Sequence, residues 1–143
     1  MHVTDLAINQ ALGLRLAPPD RDHLLELPES PLSLNHVGTV HASVQFALAE
    51  ACSGEFLLRQ LGETQRDLLA VLRTSDVKFH RPAQGGLQAS ARYAAGTSES
   101  LAGELATRGL ALASVQVEVC DSLQVVTMTG TFVWFLQRQG TST

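Results

Sequence analysis

Glu50 has the position in this 143-residue chain best suited to chemistry. It interrupts the run NHVGTVHASVQFALAEACSG, Asn35 to Gly54, in which Val40, Val44, Leu48, Ala51 and Cys52 recur at helical spacing. Phe46, Ala47 and Ala49 leave little for a solvated opposite side, so the run predicts a loop entering a helix buried on most faces. A carboxylate on such a helix is costly unless it is paired, hydrogen-bonded or set in a functional cavity. Ser43, Ala47, Ser53 and Gly54 lie one or two turns away on roughly the same side, all small, and leave room for a ligand beside it.

Other candidates flank this helix. Asn35, His36 and His41 precede Glu50, and Ser53 follows it by one turn. Further on, His80 and Arg81 end a strand just before Pro82, and an arginine fork suits phosphate oxygens. The five histidines have no paired spacing, so no metal site is expected. Gly85-Gly86 lacks the lysine and helix context of a phosphate-cradling loop.

The elements that would position these residues follow from the rest of the chain. Its length suits a single domain over residues 1–143, and 45% hydrophobic with 17% charged residues is a globular composition. A net charge of -4 offers no basic stripe for a nucleic acid. Cys52 and Cys120 fall in apolar patterns and read as reduced, buried thiols. Asp5 and Asn9 break any signal-peptide run, and no segment has the ~18 uncharged apolar residues of a membrane span. The expected location is the cytoplasm.

Asp5 to Leu12 predicts a short amphipathic helix capped by Thr4, with Leu6, Ile8, Ala11 and Leu12 apolar, in a helical extension over residues 1–20. His23 to Leu27 predicts a first strand, and Thr39 to about Leu61 the long helix, closed near Gly62. The period then changes to that of strands: Leu68–Phe79, with Val71, Arg73, Ser75, Val77 and Phe79 on one side, then Leu87–Tyr93, Leu110–Val119 and Leu123–Leu136. Gly96 to Gly109 is turn-rich with room for a helical turn, and Gln137 to Thr143 reads as a frayed tail. These patterns predict an α+β fold, an antiparallel sheet wrapped around one long central helix.

That order, with the string GTVHASVQFALAEACSG, resembles the hotdog-fold thioesterases, in particular the acyl-CoA thioesterase branch. The matching positions are Asn35, His36, Gly38, Thr39, His41, Ala42 and Glu50, supported by VKFHRPAQGGLQASA and the closing hairpin VEVCDSLQVVTMTGTFVW. Many members have Gly where Ala42 stands; Ala keeps the backbone N–H, and its methyl narrows the substrate channel. The resemblance implies hydrolysis of acyl-CoA, with coenzyme A entering only as part of the substrate and no other cofactor. It implies Glu50 as base or nucleophile, with Asn35, His41, Ala42 and Ser53 around the reacting group. Gly38, Thr39, His36, His80, Arg81 and Gly85 would contact the substrate and its coenzyme A.

Thioester hydrolysis needs a base or nucleophile at the carbonyl carbon and donors for the oxyanion that forms. Glu50 suits the first role and the unpaired N–H groups of the helix start the second. Ala42 and Glu50 are eight residues apart, ~12 Å along one helix, yet both must approach within about 3 Å of the same group. Two antiparallel helices related by a two-fold axis resolve this, each N-terminus facing the partner's Glu50. The expectation is therefore a homodimer, alone or paired into a tetramer. Two alternatives share the ligand: an acyl-thioester hydratase or dehydratase, and a non-catalytic acyl-CoA-binding module.

Overall fold

A computed structural model describes residues 1–140. A 3-10 turn at Val3–Asp5 precedes α1 (Ala7–Leu12), β1 (Arg15–Leu16), β2 (Leu25–Leu27), α2 (Ala42–Leu61), β3 (Leu68–Phe79), β4 (Leu87–Tyr93), α3 (Thr97–Arg108), β5 (Leu110–Cys120) and β6 (Val126–Arg138). The six strands form one antiparallel sheet in the order β1-β2-β4-β5-β6-β3. Alternate residues of β4, β5 and β6, among them Ala89, Val115, Val117, Val119, Met128 and Phe132, bury one sheet face against Val44, Leu48, Ala51 and Cys52 of α2. This is the hotdog fold. At 20 residues α2 is ~30 Å long, enough to cross the whole sheet.

α2 starts at Ala42 and not at Thr39. His41 stays extended at φ -61°, ψ 137°, and its ring Nδ1 accepts the Ser43 N–H at 3.0 Å, a histidine filling the usual role of Ser or Asp at a helix start. Thr39 belongs to the preceding loop. Cys52 lies inside the core, where burial pushes its thiol up to about 12, while Cys120 is half-buried.

Five further expectations about elements need correction. In β3 the ladder to β6 slips between Leu72 and Thr74, so Arg73 is an extra residue and the alternation reverses there. Leu68, Ala70 and Leu72 pack inward before the slip and Val77 after it, whereas Val71 is exposed. The bulged Arg73 lays its guanidinium over Phe135, 5.7 Å from the ring centre.

The Gly96–Gly109 segment holds a full helix, α3, bounded by two glycines in the left-handed region. Only Leu101 and Leu105 face inward, onto Leu57, Ala111, Ala113 and Leu136, which is too narrow an apolar stripe to announce a helix.

The N-terminal helix is shorter than expected and capped at Leu6. Its buried side is set by Asn9, which donates to the Val3 carbonyl at 2.9 Å, while Leu6 and Ile8 are exposed. β1 is too short to show a period in sequence and pairs with β2 through Arg15↔Glu26 and Leu16↔Leu25.

At the other end β6 begins at Val126, because Asp121 accepts from Leu123 N–H and Val125 N–H and shapes residues 121–125 into a loop. The strand runs on through Gln137 and Arg138, opposite Leu69 and Leu68, so the expected fraying does not begin at Gln137. The last expected tail residues, 141–143, lie outside the described part. Among the described residues no helix is long and apolar enough to cross a membrane.

Candidate active site

Where α2 begins, the loop before it and the end of β3 leave a cleft of about 310 Å³. It is lined by Asn35, Thr39, Ala42 and Gln45 on one side and by Phe79, His80 and Arg81 on the other. Five of the expected site residues, Asn35, Thr39, Ala42, His80 and Arg81, therefore meet in one place although about 40 residues of chain separate the two groups. A larger groove, about 460 Å³, crosses the polar outer face of the sheet between Asp76, Arg92, Gln116 and Thr131. It holds none of the expected residues.

The loop owes its shape to Asn35. Its Oδ1 accepts the N–H groups of Val37 and Thr39 at 3.0 and 3.1 Å, and its Nδ2 donates to Thr39 Oγ1 at 2.9 Å. Gly38, at φ +80°, closes the turn with its N–H on the Asn35 carbonyl. The Asn35 carbonyl oxygen is thus fully used in the turn, and its second amide proton is what it can offer the cleft. Val40 then hydrogen-bonds the Ala83 carbonyl and His41 the Ser33 carbonyl, which fixes the direction in which α2 leaves.

His41 caps the helix start, and its Nδ1 also meets Ser43 Oγ at 2.7 Å. Because that nitrogen accepts the Ser43 N–H, any proton on the neutral ring sits on Nε2. Its place is structural, at the rim, and it does not line the cleft. The Ala42 N–H has no hydrogen-bond partner among the described residues and stands at the positive end of the α2 dipole, on the cleft.

Glu50 is half-buried two turns further along α2, outside this cleft. Among the described residues its carboxylate meets no cation and no hydrogen-bond donor, and burial alone raises its pKa above the ordinary 4.5. A carboxyl so placed is held ready to take up a proton.

Three expected residues fall elsewhere. Ser53 is wholly buried; its hydroxyl donates to the Glu50 carbonyl oxygen at 2.7 Å and accepts the Trp134 indole N–H at 2.9 Å. It has no proton left for a water or for the Glu50 carboxylate, which corrects its assignment to catalysis. Gly85 adopts φ +73° against the β5–β6 hairpin, where an added Cβ would collide with Ser122 Oγ. It shapes a turn and lies outside the cleft. His36 is exposed and is likewise absent from the cleft lining. His80 donates its backbone N–H to the Thr127 carbonyl at 2.8 Å and brings Nε2 to Thr129 Oγ1 at 2.7 Å, which leaves the exposed Arg81 as the cation lining the cleft. Among the described residues no cluster could hold a metal ion.

Two residues escaped the sequence reading. Gln45 looked like an ordinary polar helix position, yet it is buried in the cleft wall. Glu55, five residues after Glu50, is the wholly buried acid of the helix, and its carboxylate accepts from His2 Nδ1, Val3 N–H and Arg59 Nε at 2.7, 3.1 and 3.0 Å. The i, i+4 spacing of Glu55 and Arg59 was the available signal.

The model of a family described as a domain of unknown function, DUF4442, matches residues 18–136. Among curated proteins none matches the chain. Among solved structures, a Pseudomonas aeruginosa protein, PA5026, described as a probable thioesterase, is similar with a TM-score of 0.80 and 24% identity, over 96% of this chain and 91% of that one. The Haemophilus influenzae thioesterase HI1161 gives 0.74 and 15%, over 95% and 86%. The Bacillus halodurans protein BH2602, solved with CoA, gives 0.69 and 18%, over 90% and 74%.

Proposed function

The chain belongs to the DUF4442 family, and on that premise we propose that it hydrolyses acyl-CoA thioesters as a homodimer. The observation that carries this is a carboxylate and an amide on one helix that have no partner among the described residues: Glu50, with its raised pKa, and the Ala42 N–H on the cleft. In the reaction Glu50 takes a proton from water as the water oxygen bonds to the thioester carbon. The carbonyl oxygen becomes an oxyanion held by the Ala42 N–H. Collapse breaks the C–S bond, and the proton passes from Glu50 to the sulfur, leaving free acid and the coenzyme A thiol.

Glu50 and Ala42 of one chain stand ~12 Å apart, so the pair at each carbonyl comes from two chains. β3 supports such a dimer: it is an edge of the sheet, 12 residues long, and among the described residues nothing pairs with its outer side. Antiparallel pairing of β3 with its copy would continue the sheet and set the two α2 helices side by side, head to tail. Arg81, with His80 behind it, suits the coenzyme A phosphates, in keeping with the Bacillus halodurans neighbour solved with CoA. The thioesterase descriptions of the other two neighbours point the same way.

Thiol release from acetyl-CoA, palmitoyl-CoA and benzoyl-CoA, wild type beside Glu50→Ala, is the test. Turnover that drops by roughly 10²–10⁴ in the variant supports the reading. A folded wild type that releases no thiol from any of the three overturns it.

A further inference from the structure

We propose that Gln45 donates a second hydrogen bond, from its side-chain amide, to the oxyanion that Ala42 holds; the inference rests on the thioester-hydrolysis reading. Gln45 follows Ala42 by three residues, so both stand on one face of the first helical turns, and both line the cleft. Gln45 is only 3% exposed. An amide buried this deeply needs partners for its oxygen and for its nitrogen.

The oxygen has one. Gln45 Oε1 accepts from Thr127 Oγ1 at 2.9 Å. The Thr127 hydroxyl has a single proton, and its other neighbour, the Val119 carbonyl, is distant at 3.5 Å, so the Gln45 bond takes that proton. The amide nitrogen carries two protons and has no acceptor among the described residues, although no fully enclosed side-chain nitrogen or oxygen there lacks a partner. The nitrogen is therefore not enclosed, and the residue lines the cleft on which it opens.

Thr127 is itself held rigidly. It is wholly buried in β6, and its carbonyl accepts the His80 N–H at 2.8 Å. The amide is thus oriented from behind, before any substrate arrives, which is the condition under which a fixed dipole stabilises a developing charge. Beside the backbone N–H of Ala42 it makes a two-donor hole, one donor from main chain and one from side chain. A glutamine serving only as a strut for Thr127 would need its oxygen alone.

Thiol release from the same three acyl-CoAs, with melting curves, separates the roles in Gln45→Met and Gln45→Glu. Met keeps the length and loses both N–H donors; Glu keeps an acceptor for Thr127 and sets a negative oxygen where the oxyanion forms. The expected result is a kcat lower by roughly 10²–10³ in Met and at least as low in Glu, with KM changed by less than about threefold. A kcat within about threefold of wild type in either folded variant, or a change in KM alone, overturns the inference. With an active wild type that outcome leaves the hydrolase reading standing, whereas an inactive wild type removes both.

Discussion

Ser53 and Trp134 are joined by a 2.9 Å hydrogen bond from the indole N–H to the serine oxygen, and this bond ties the middle of α2 to the last strand. The next residue, Gly54, completes the junction: a Cβ there would touch the indole at 3.4 Å. Ser53 is thereby a packing residue one turn from Glu50, the carboxylate proposed to act in hydrolysis. Ser53→Ala leaves a buried donor without an acceptor and is expected to cost about 1–3 kcal/mol in chemical denaturation, with kcat close to wild type. A large fall in kcat at unchanged stability would return Ser53 to the site.

The raised pKa of Glu50 has two consequences of opposite sign. The proposed hydrolysis needs the carboxylate, so the acid limb of kcat/KM against pH should lie above 4.5, the ordinary carboxylate value. Stability runs the other way. Between the unfolded and the folded pKa the native state binds the extra proton, so stability falls as pH rises through that window. Glu50→Gln is therefore expected to melt higher than wild type at pH 7, with the difference vanishing below the unfolded value. Melting curves from pH 3 to pH 8 check this; a variant less stable than wild type at pH 7 would mean that Glu50 has a stabilising partner.

Glu55 shows the converse. Burial opposes its ionisation, but hydrogen bonds from His2, Val3 N–H and Arg59 outweigh it and lower the pKa below 4.5. Its contribution is complete above the unfolded pKa and is lost as pH falls through the folded one. Because the carboxylate is 1% exposed against 52% for His2 and 41% for Arg59, removing the acid leaves its partners in water. Removing either base strips a partner from a buried charge. Glu55→Ala also leaves the buried Val3 N–H without its acceptor and loosens the packing of residues 1–12 on α2, and a loss of about 1–3 kcal/mol is expected from urea titration at pH 7. A loss below about 0.5 kcal/mol, the scale of a surface pair, would show that residues 1–12 are not held by this acid.

How far the chain could be read depended on the kind of signal. The α2 run showed itself because its apolar positions repeat over five turns, and the valines of β5 because they alternate without interruption. Arg73 hid the reversal in β3, since a bulge adds one residue and leaves no mark in composition. α3 hid because two leucines suffice to seat it. At the site, residue types alone marked Glu50, but whether a hydroxyl or amide is free depends on what lies across the fold. Trp134 claims Ser53 from 81 residues away, and Thr127 orients Gln45 from 82. No local pattern carries that information.

The sharing of each site between two chains can be decided by removing one N–H. Ala42 is the first residue of α2, and His41 before it is already extended at ψ 137°, the conformation a following proline requires. Ala42→Pro should therefore fold as wild type does and lose only the amide proton, lowering kcat by roughly 10²–10³. Ala42→Pro and Glu50→Ala, each nearly inactive, are then mixed, unfolded and refolded together. If each site takes its amide from one chain and its carboxylate from the other, half of the dimers are mixed and each mixed dimer has one intact site. About a quarter of wild-type turnover should return. If both groups came from one chain, no combination would restore a complete site, and turnover would stay at the level of the separate variants.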